Sequence, residues 1–248
     1  MLLKVRALSE AGVAHGFATR VGGVSEGPFA ALNLARNVGD APEAVAENHR
    51  RLAEAVGYGR LYEVSQVHGD GVRVVDGKER PEDVRAEEAD ALIGRGRGFA
   101  VAVRVADCAP LLLADAEREL VAAVHCGWRG VAAALAPAVV RRLVALGARP
   151  EALRAALGPH IRAPRFEVGE EVAAPLVAAA GGDASVVDRT KAKPHVDLAA
   201  ILRRQLAEVG VRILEDAGGC TYDEPARFFS HRRDAGLTGR HLAVVGLP

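Results

Sequence analysis

A chain of 248 residues, half of them hydrophobic, is long enough to bury a sizeable core and sits at the upper end of what one domain holds. Lys+Arg and Asp+Glu cancel at 32 each, so the charge balance predicts no attraction to nucleic acid or to an anionic membrane and points to a small partner. Three cysteines make no disulfide framework, the first residues carry no apolar signal, and no stretch reaches about 18 uninterrupted apolar residues; the expectation is one domain over residues 1–248 in a reducing cytoplasm.

Along the chain, residues 19–28 are dense in Gly, Ser and Pro and read as a loop. Residues 42–56 place apolar side chains at helical spacing between Pro42 and Gly57, which predicts a helix. Residues 61–67 and 72–75 predict strands around a turn at 68–71, with His68 at a strand end. After a charged stretch at 78–89 come two apolar runs, 99–105 and 111–114, interrupted at 106–110. Pro110 cannot donate to a sheet ladder, so the interruption reads as a break or an edge, and Cys108 sits in it. The run 120–124 predicts a strand ending at His125-Cys126-Gly127-Trp128-Arg129-Gly130, and 131–147 predicts one Ala-rich helix closed by Gly147. A strand at 153–157, helices near 170–179 and 198–209, a strand near 211–214 and a closing strand at 242–245 complete an α/β pattern without a repeat period.

His68, Cys108 and His125 each follow an apolar run and stand beside a turn, and α/β folds bring such positions together at the carboxyl ends of strands. Two imidazoles and a thiol are soft-metal donors. Spacing alone fits isolated structural residues as well, and also a Cys108 nucleophile with His125 as its base. In HCGWRG the glycines allow close backbone approach, a helix N-terminus follows, and Arg129 is placed to clamp a phosphate or carboxylate; the plainer reading is a tight turn with Trp128 on the sheet. Asp107, beside Cys108, suits acid/base work or a turn. Arg20 and the pair Arg232-Arg233 are further anion-holding candidates, and Cys126 and Cys220 read as structural.

Taken in order, HGFATRVGGVSEGPFAALNLARNVGD, SQVHG, ADALI, VADCAPLLL, VAAVHCGWRG, LGPHI, FEVGEEV, FFSHRRD and TGRHLAVVGL, spread over residues 15–247, resemble the YfiH-like proteins, long labelled laccase-domain or multicopper polyphenol oxidase proteins and now regarded as purine nucleoside phosphorylases. The resemblance implies a layered α/β sandwich with mixed sheets and outer helices, a monomer, and a zinc site on His68, Cys108 and His125. It also implies phosphorolysis of adenosine, inosine, guanosine and methylthioadenosine, with deamination of adenosine. In that setting Arg129, helped by Arg20 or Arg233, is the expected phosphate clamp, and Asp107 the expected acid/base group. Phe166 stands where many members carry Tyr, and His49 where Arg is common. Two histidines and a thiolate leave the fourth tetrahedral position open, as in catalytic zinc sites. Copper is the alternative ion, but eight histidines without a His-x-His pair fit a multicopper oxidase poorly. A non-catalytic nucleoside-binding protein is the remaining alternative.

Overall fold

Side chains alternate across a strand, and in β7 (Ala109–Asp115) that alternation separates two cores: Leu111 and Leu113 point to one side, Leu112 and Ala114 to the other. The computed structural model describes all 248 residues, Met1–Pro248. β7 belongs to a six-stranded mixed sheet, ordered β12 (Ile213–Asp216), β9 (Arg154–Leu157), β7, β8 (Leu120–Cys126), β5 (Ala91–Arg95) and β4 (Val72–Val75). Leu112, Ala114, Val121 and Ala123 pack against Phe17, Val101, Val103, Ala243 and Val245 of a second sheet. That sheet is ordered β1 (Leu2–Leu3), β2 (Ala14–Ala18), β13 (His241–Leu247), β6 (Phe99–Val105) and β3 (Leu61–Tyr62).

Helices close both outer faces. α5 (Leu135–Ala145), α6 (Glu170–Ala179) and α7 (Leu198–Glu208) cover the six-stranded sheet, with Val139, Leu143, Leu176, Ile201 and Leu202 fully buried on it. α2 (Pro42–Val56) lays Leu52 and Val56 on Ala100, Ala102, Leu242 and Val244 of the other. The result is a four-layer α/β/β/α sandwich with mixed sheets and outer helices. Truncating a fully buried leucine such as Leu112 to Ala costs about 2–5 kcal/mol in such a core. Three short elements complete the order: α1 (Arg6–Glu10), α3 (Pro81–Ala86) and α4 (Trp128–Ala132), with a small ribbon of β10 (Val187–Asp188) and β11 (His195–Val196).

Several expectations change. The single helix expected over 131–147 is two, α4 and α5, separated at Ala133 and Ala134, with Ala134 left-handed at φ 56. Pro137 is the cause: in a continuous helix its ring would strike the carbonyl of Ala133, four residues back. The strand expected over 61–67 stops at Tyr62, so His68 lies in a turn rather than at a strand end. Pro110 lies inside β7, opposite His125 of β8, and the break shortens to residues 106–108. The Pro110 carbonyl still accepts the N–H of Gly158, and the Gly158 carbonyl that a ladder donor would have satisfied is taken by Nδ1 of His160 at 2.8 Å.

His160 and His241 carry a measurable consequence. Both are buried, and Nε2 of His241 accepts the N–H of Phe229 at 2.8 Å, which requires an unprotonated nitrogen. Burial, helped by nearby arginines, lowers His160 to about 4 and His241 to about 3 from an ordinary 6.5. An unfolded chain protonates both rings as pH drops below 6.5 while the folded chain does not. The stability they permit is therefore whole above pH 6.5 and lost between 6.5 and about 4, at about 1.4 kcal/mol per ring per pH unit. The two rings together remove about 3 kcal/mol between pH 6.5, where the unfolded rings are already half protonated, and pH 5. Urea midpoints at the two pH values measure this, and equal midpoints would refute it.

Candidate metal centre

Three segments meet where the two sheets end: the turn after β3, the break between β6 and β7, and the end of β8. They bring the donor atoms of His68, Cys108 and His125 within 4.8 Å of one another, and the two imidazole rings stand edge to face with centroids 4.8 Å apart. These positions are far apart in sequence; β7 pairs with β8 in the register Pro110↔His125, which brings Cys108 to His125, and a buried aspartate brings His68 to both.

A residue not singled out by its position in the sequence organises the group. Asp90, fully buried just before β5, accepts the N–H groups of Val67 at 3.2 Å, His68 at 3.0 Å and Gly69 at 2.6 Å, and Nδ1 of His125 at 2.7 Å. An ionised carboxylate only accepts, so Nδ1 of His125 carries a proton and Nε2 is the nitrogen available to a metal ion. Burial works to raise Asp90, yet the imidazole and the N–H groups outweigh it and hold the carboxyl below its ordinary range. The only sequence signal was the ADALI stretch, in which an aspartate heads an apolar run.

Burial likewise works against a Cys108 thiolate, but His125 and His68 beside it prevail and lower the thiol to about 6. Thiolate is the form that binds metal. The reciprocal effect of the thiolate and Asp90 raises His125 against the pull of burial, so without a metal Nε2 holds a proton that a bound ion displaces. His68, with φ 59, and Asp107, with φ 90, are both non-glycine residues in the left-handed region, so the backbone departs from common geometry on either side of the donors.

The donor set suits a tetrahedral ion with one open position, and Gly127 shows how closely the chain is built around it. A Cβ there would sit 3.3 Å from Sγ of Cys108, 3.3 Å from Cδ2 of His68 and 3.7 Å from Cε1 of His125. Gly127 has an ordinary φ of −68, so its requirement is space rather than backbone freedom. Gly127→Ala is expected to leave the fold intact and weaken metal retention roughly tenfold by moving donors a few tenths of an ångström. Competition with a chromogenic chelator measures this; unchanged affinity would show that the donors have slack.

The donors open onto a cleft of ≈ 400 Å³, lined also by Asp107, Arg104, Arg232, Arg240, Phe166 and Ile161. Asp107 accepts the hydroxyl of Thr221 at 2.6 Å and the N–H of Arg232 at 2.7 Å, tying the Cys108 segment to the 221–232 segment. Phe166 lies beneath Arg232, 5.8 Å from ring centroid to guanidinium carbon.

Of the arginines expected to hold an anion, Arg232 lines the cleft, whereas Arg20, Arg233 and Arg129 lie elsewhere. Arg20 spends Nε on the Ala30 carbonyl at 2.7 Å and one terminal nitrogen on Pro225 at 2.9 Å, over the Phe229 ring. Arg233 is taken by the carbonyls of Thr221, Tyr222 and Phe228 and by Asp234. Arg129 is exposed over Trp128 at 4.5 Å, and the helix it starts has five residues. His49 faces the Leu34 carbonyl from α2 and does not line the cleft. Cys126 and Cys220 are buried and unpaired.

Residues 14–248 match a family model described as multi-copper polyphenol oxidoreductase laccase. A purine nucleoside phosphorylase of Deinococcus radiodurans is 44% identical over 238 residues, covering 95% of this chain and 90% of its own. One from Corynebacterium glutamicum is 39% identical, covering 94% and 93%. The crystal structure of YlmD from Geobacillus stearothermophilus superposes with a TM-score of 0.90 at 32% identity, over 98% of this chain and 94% of that one.

Proposed function

The chain belongs to the family described as multi-copper polyphenol oxidoreductase laccase, and from its relatives and its donor group we propose that it is a zinc-dependent purine nucleoside phosphorylase. The proposed substrates are adenosine, inosine, guanosine and methylthioadenosine, with deamination of adenosine as a second activity. The relatives named purine nucleoside phosphorylase support the reaction class. The observation that carries the reading is the meeting of His68, Cys108 and His125 in one cleft with three arginines. Nitrogen and sulfur donors in a group of three favour one zinc ion, whereas several coppers need several such groups.

In phosphorolysis a phosphate oxygen bonds to C1′ of the ribose as the C1′–N9 bond breaks. The electron pair leaves with the purine, which gains a proton, and ribose 1-phosphate and the free base result. The chain's cleft arginines oppose the charge of the entering phosphate, and Phe166 and Ile161 offer apolar surface to a base. His68, Cys108 and His125 would hold zinc, which when bound supplies Lewis acidity at the open position. In deamination water adds at C6, the C6–N bond breaks and ammonia leaves; Asp107, at the cleft wall, is the group assigned to move the proton.

The test is anaerobic purification, elemental analysis and chromatographic assay of base release from adenosine and inosine with and without phosphate. About one zinc per chain with phosphate-dependent base release is the expected result. Absence of zinc, or of turnover with every purine nucleoside, would overturn the reading.

A second reading has a specific observation behind it. Cys108, His125 and Asp90 form a chain of thiol, imidazole and orienting carboxylate, as in cysteine hydrolases. Rapid alkylation of Cys108 in zinc-loaded protein would favour this nucleophile; protection by the metal would favour the ligand.

A further inference from the structure

Resting on the phosphorylase reading, we infer that inorganic phosphate is held by Arg104 and Arg240, two residues 136 positions apart that the sheet register makes neighbours. β13 pairs antiparallel with β6, with Leu242 opposite Arg104 and His241 opposite Val105. Arg240, two residues before Leu242, therefore leaves the same face of the sheet as Arg104. Arg240 stands immediately before β13, and a tetrahedral oxyanion in the cleft that both side chains line can accept from the two guanidinium groups at once. Both line the cleft into which Cys108 and His125 open.

The way each guanidinium is held leaves donors free. Nη1 of Arg240 donates to the carbonyls of Thr238 at 2.8 Å and Gly239 at 3.0 Å, and Nη2 lies 3.5 Å from Nδ1 of His231; no carboxylate is among these partners. A half-buried cation held by carbonyls, with Asp107 near it but no carboxylate in salt-bridge contact, keeps N–H donors for an anion. Arg104 is aimed by two fixed contacts, Nη1 to Glu63 at 2.9 Å and Nη2 to the Val64 carbonyl at 2.7 Å. Its own backbone N–H and carbonyl are both held by the Gln66 amide, at 2.7 and 2.8 Å. Glu63 is buried, and its other oxygen goes to Arg36 at 2.6 Å, so Glu63 acts as a positioning residue for the Arg104 side chain. Arg20 and Arg233, by contrast, do not line the cleft, and Arg233 is ion-paired with Asp234.

The test measures inosine phosphorolysis at varied phosphate in zinc-loaded wild type, Arg240→Gln, Arg104→Lys and Arg129→Gln, with calorimetric titration of each by inorganic phosphate alone. Arg240→Gln breaks no ion pair, and Arg104→Lys keeps a cation beside Glu63, so both are expected to fold, as thermal melts will check. The expected result is a KM for phosphate raised at least roughly tenfold in both, a KM for inosine moved less than about threefold, and unchanged zinc content. An unchanged phosphate KM in Arg240→Gln and Arg104→Lys, or a rise in Arg129→Gln alone, would overturn the assignment. If wild type turns over no nucleoside, the phosphorylase reading falls by itself, and the titration still decides the subsite. Phosphate binding by wild type that is lost in Arg240→Gln and Arg104→Lys supports it; no binding by wild type, or equal binding by these variants, overturns it.

Discussion

Cys108→Ala is expected to yield a folded protein that retains no zinc and releases no base from inosine. Sγ is the single thiolate of the donor group, and its removal leaves His68 and His125, one exposed and one buried, to hold a cation by themselves. In zinc sites the whole donor set contributes on the order of 10 kcal/mol or more, so one thiolate accounts for about 3 kcal/mol, a loss of affinity of a hundredfold or more. The fold should survive, because Cys108 is partly exposed in a break between strands and its thiol supports no core cluster. Elemental analysis after dialysis and a base-release assay measure the two losses. Full phosphorolysis by a metal-free Cys108→Ala protein would refute the proposed role of the metal.

Asp90→Asn is expected to cost both stability and metal. The carboxylate has no solvent contact and accepts four N–H groups, three from the backbone of Val67, His68 and Gly69 and one from His125. Asparagine offers one acceptor oxygen and turns an NH₂ group toward donors. At about 1.5–3 kcal/mol for a hydrogen bond to a buried charge, losing one or two of these costs about 3–5 kcal/mol. His125 also loses the partner that keeps its proton on Nδ1, so metal affinity should fall 10–100-fold, roughly. Chemical denaturation and chelator competition separate the effects, since a purely structural Asp90 would lower the midpoint and leave the affinity of the folded protein unchanged.

Asp90 also marks where reading the chain residue by residue stops. An aspartate ahead of Ala91-Leu92-Ile93 resembles any turn residue entering a strand. Its four partners are contributed by the 67–69 turn and by β8, and nothing local to residue 90 announces them. Arg104 and Arg240 are similar. Each is one arginine among many in the sequence, and only the pairing of β6 with β13 sets them side by side. The arginines that stood out did so because glycines and aromatics surround them. In the fold those neighbours mark turns whose carbonyls bind Arg20 and Arg233 and a surface ring on which Arg129 lies.

What the amino-acid order determined by itself is what local physics controls. Helix α2 runs from Pro42 to Val56 as its spacing predicts, because proline suits the first turn and Gly57 takes the left-handed cap at φ 89. The apolar runs 99–105 and 120–124 became buried strands, and the donor types of His68, Cys108 and His125 were visible in SQVHG, DCAP and HCGWRG. Tertiary structure decided the rest. It carried β7 through Pro110, whose missing donor matters little where His160 takes the facing carbonyl. It gathered three donors around Gly127, and it chose which arginines face the cleft. The physical reason is the same in each case: strand register relates residues tens to more than a hundred positions apart, and no periodicity within a short window encodes such a pairing.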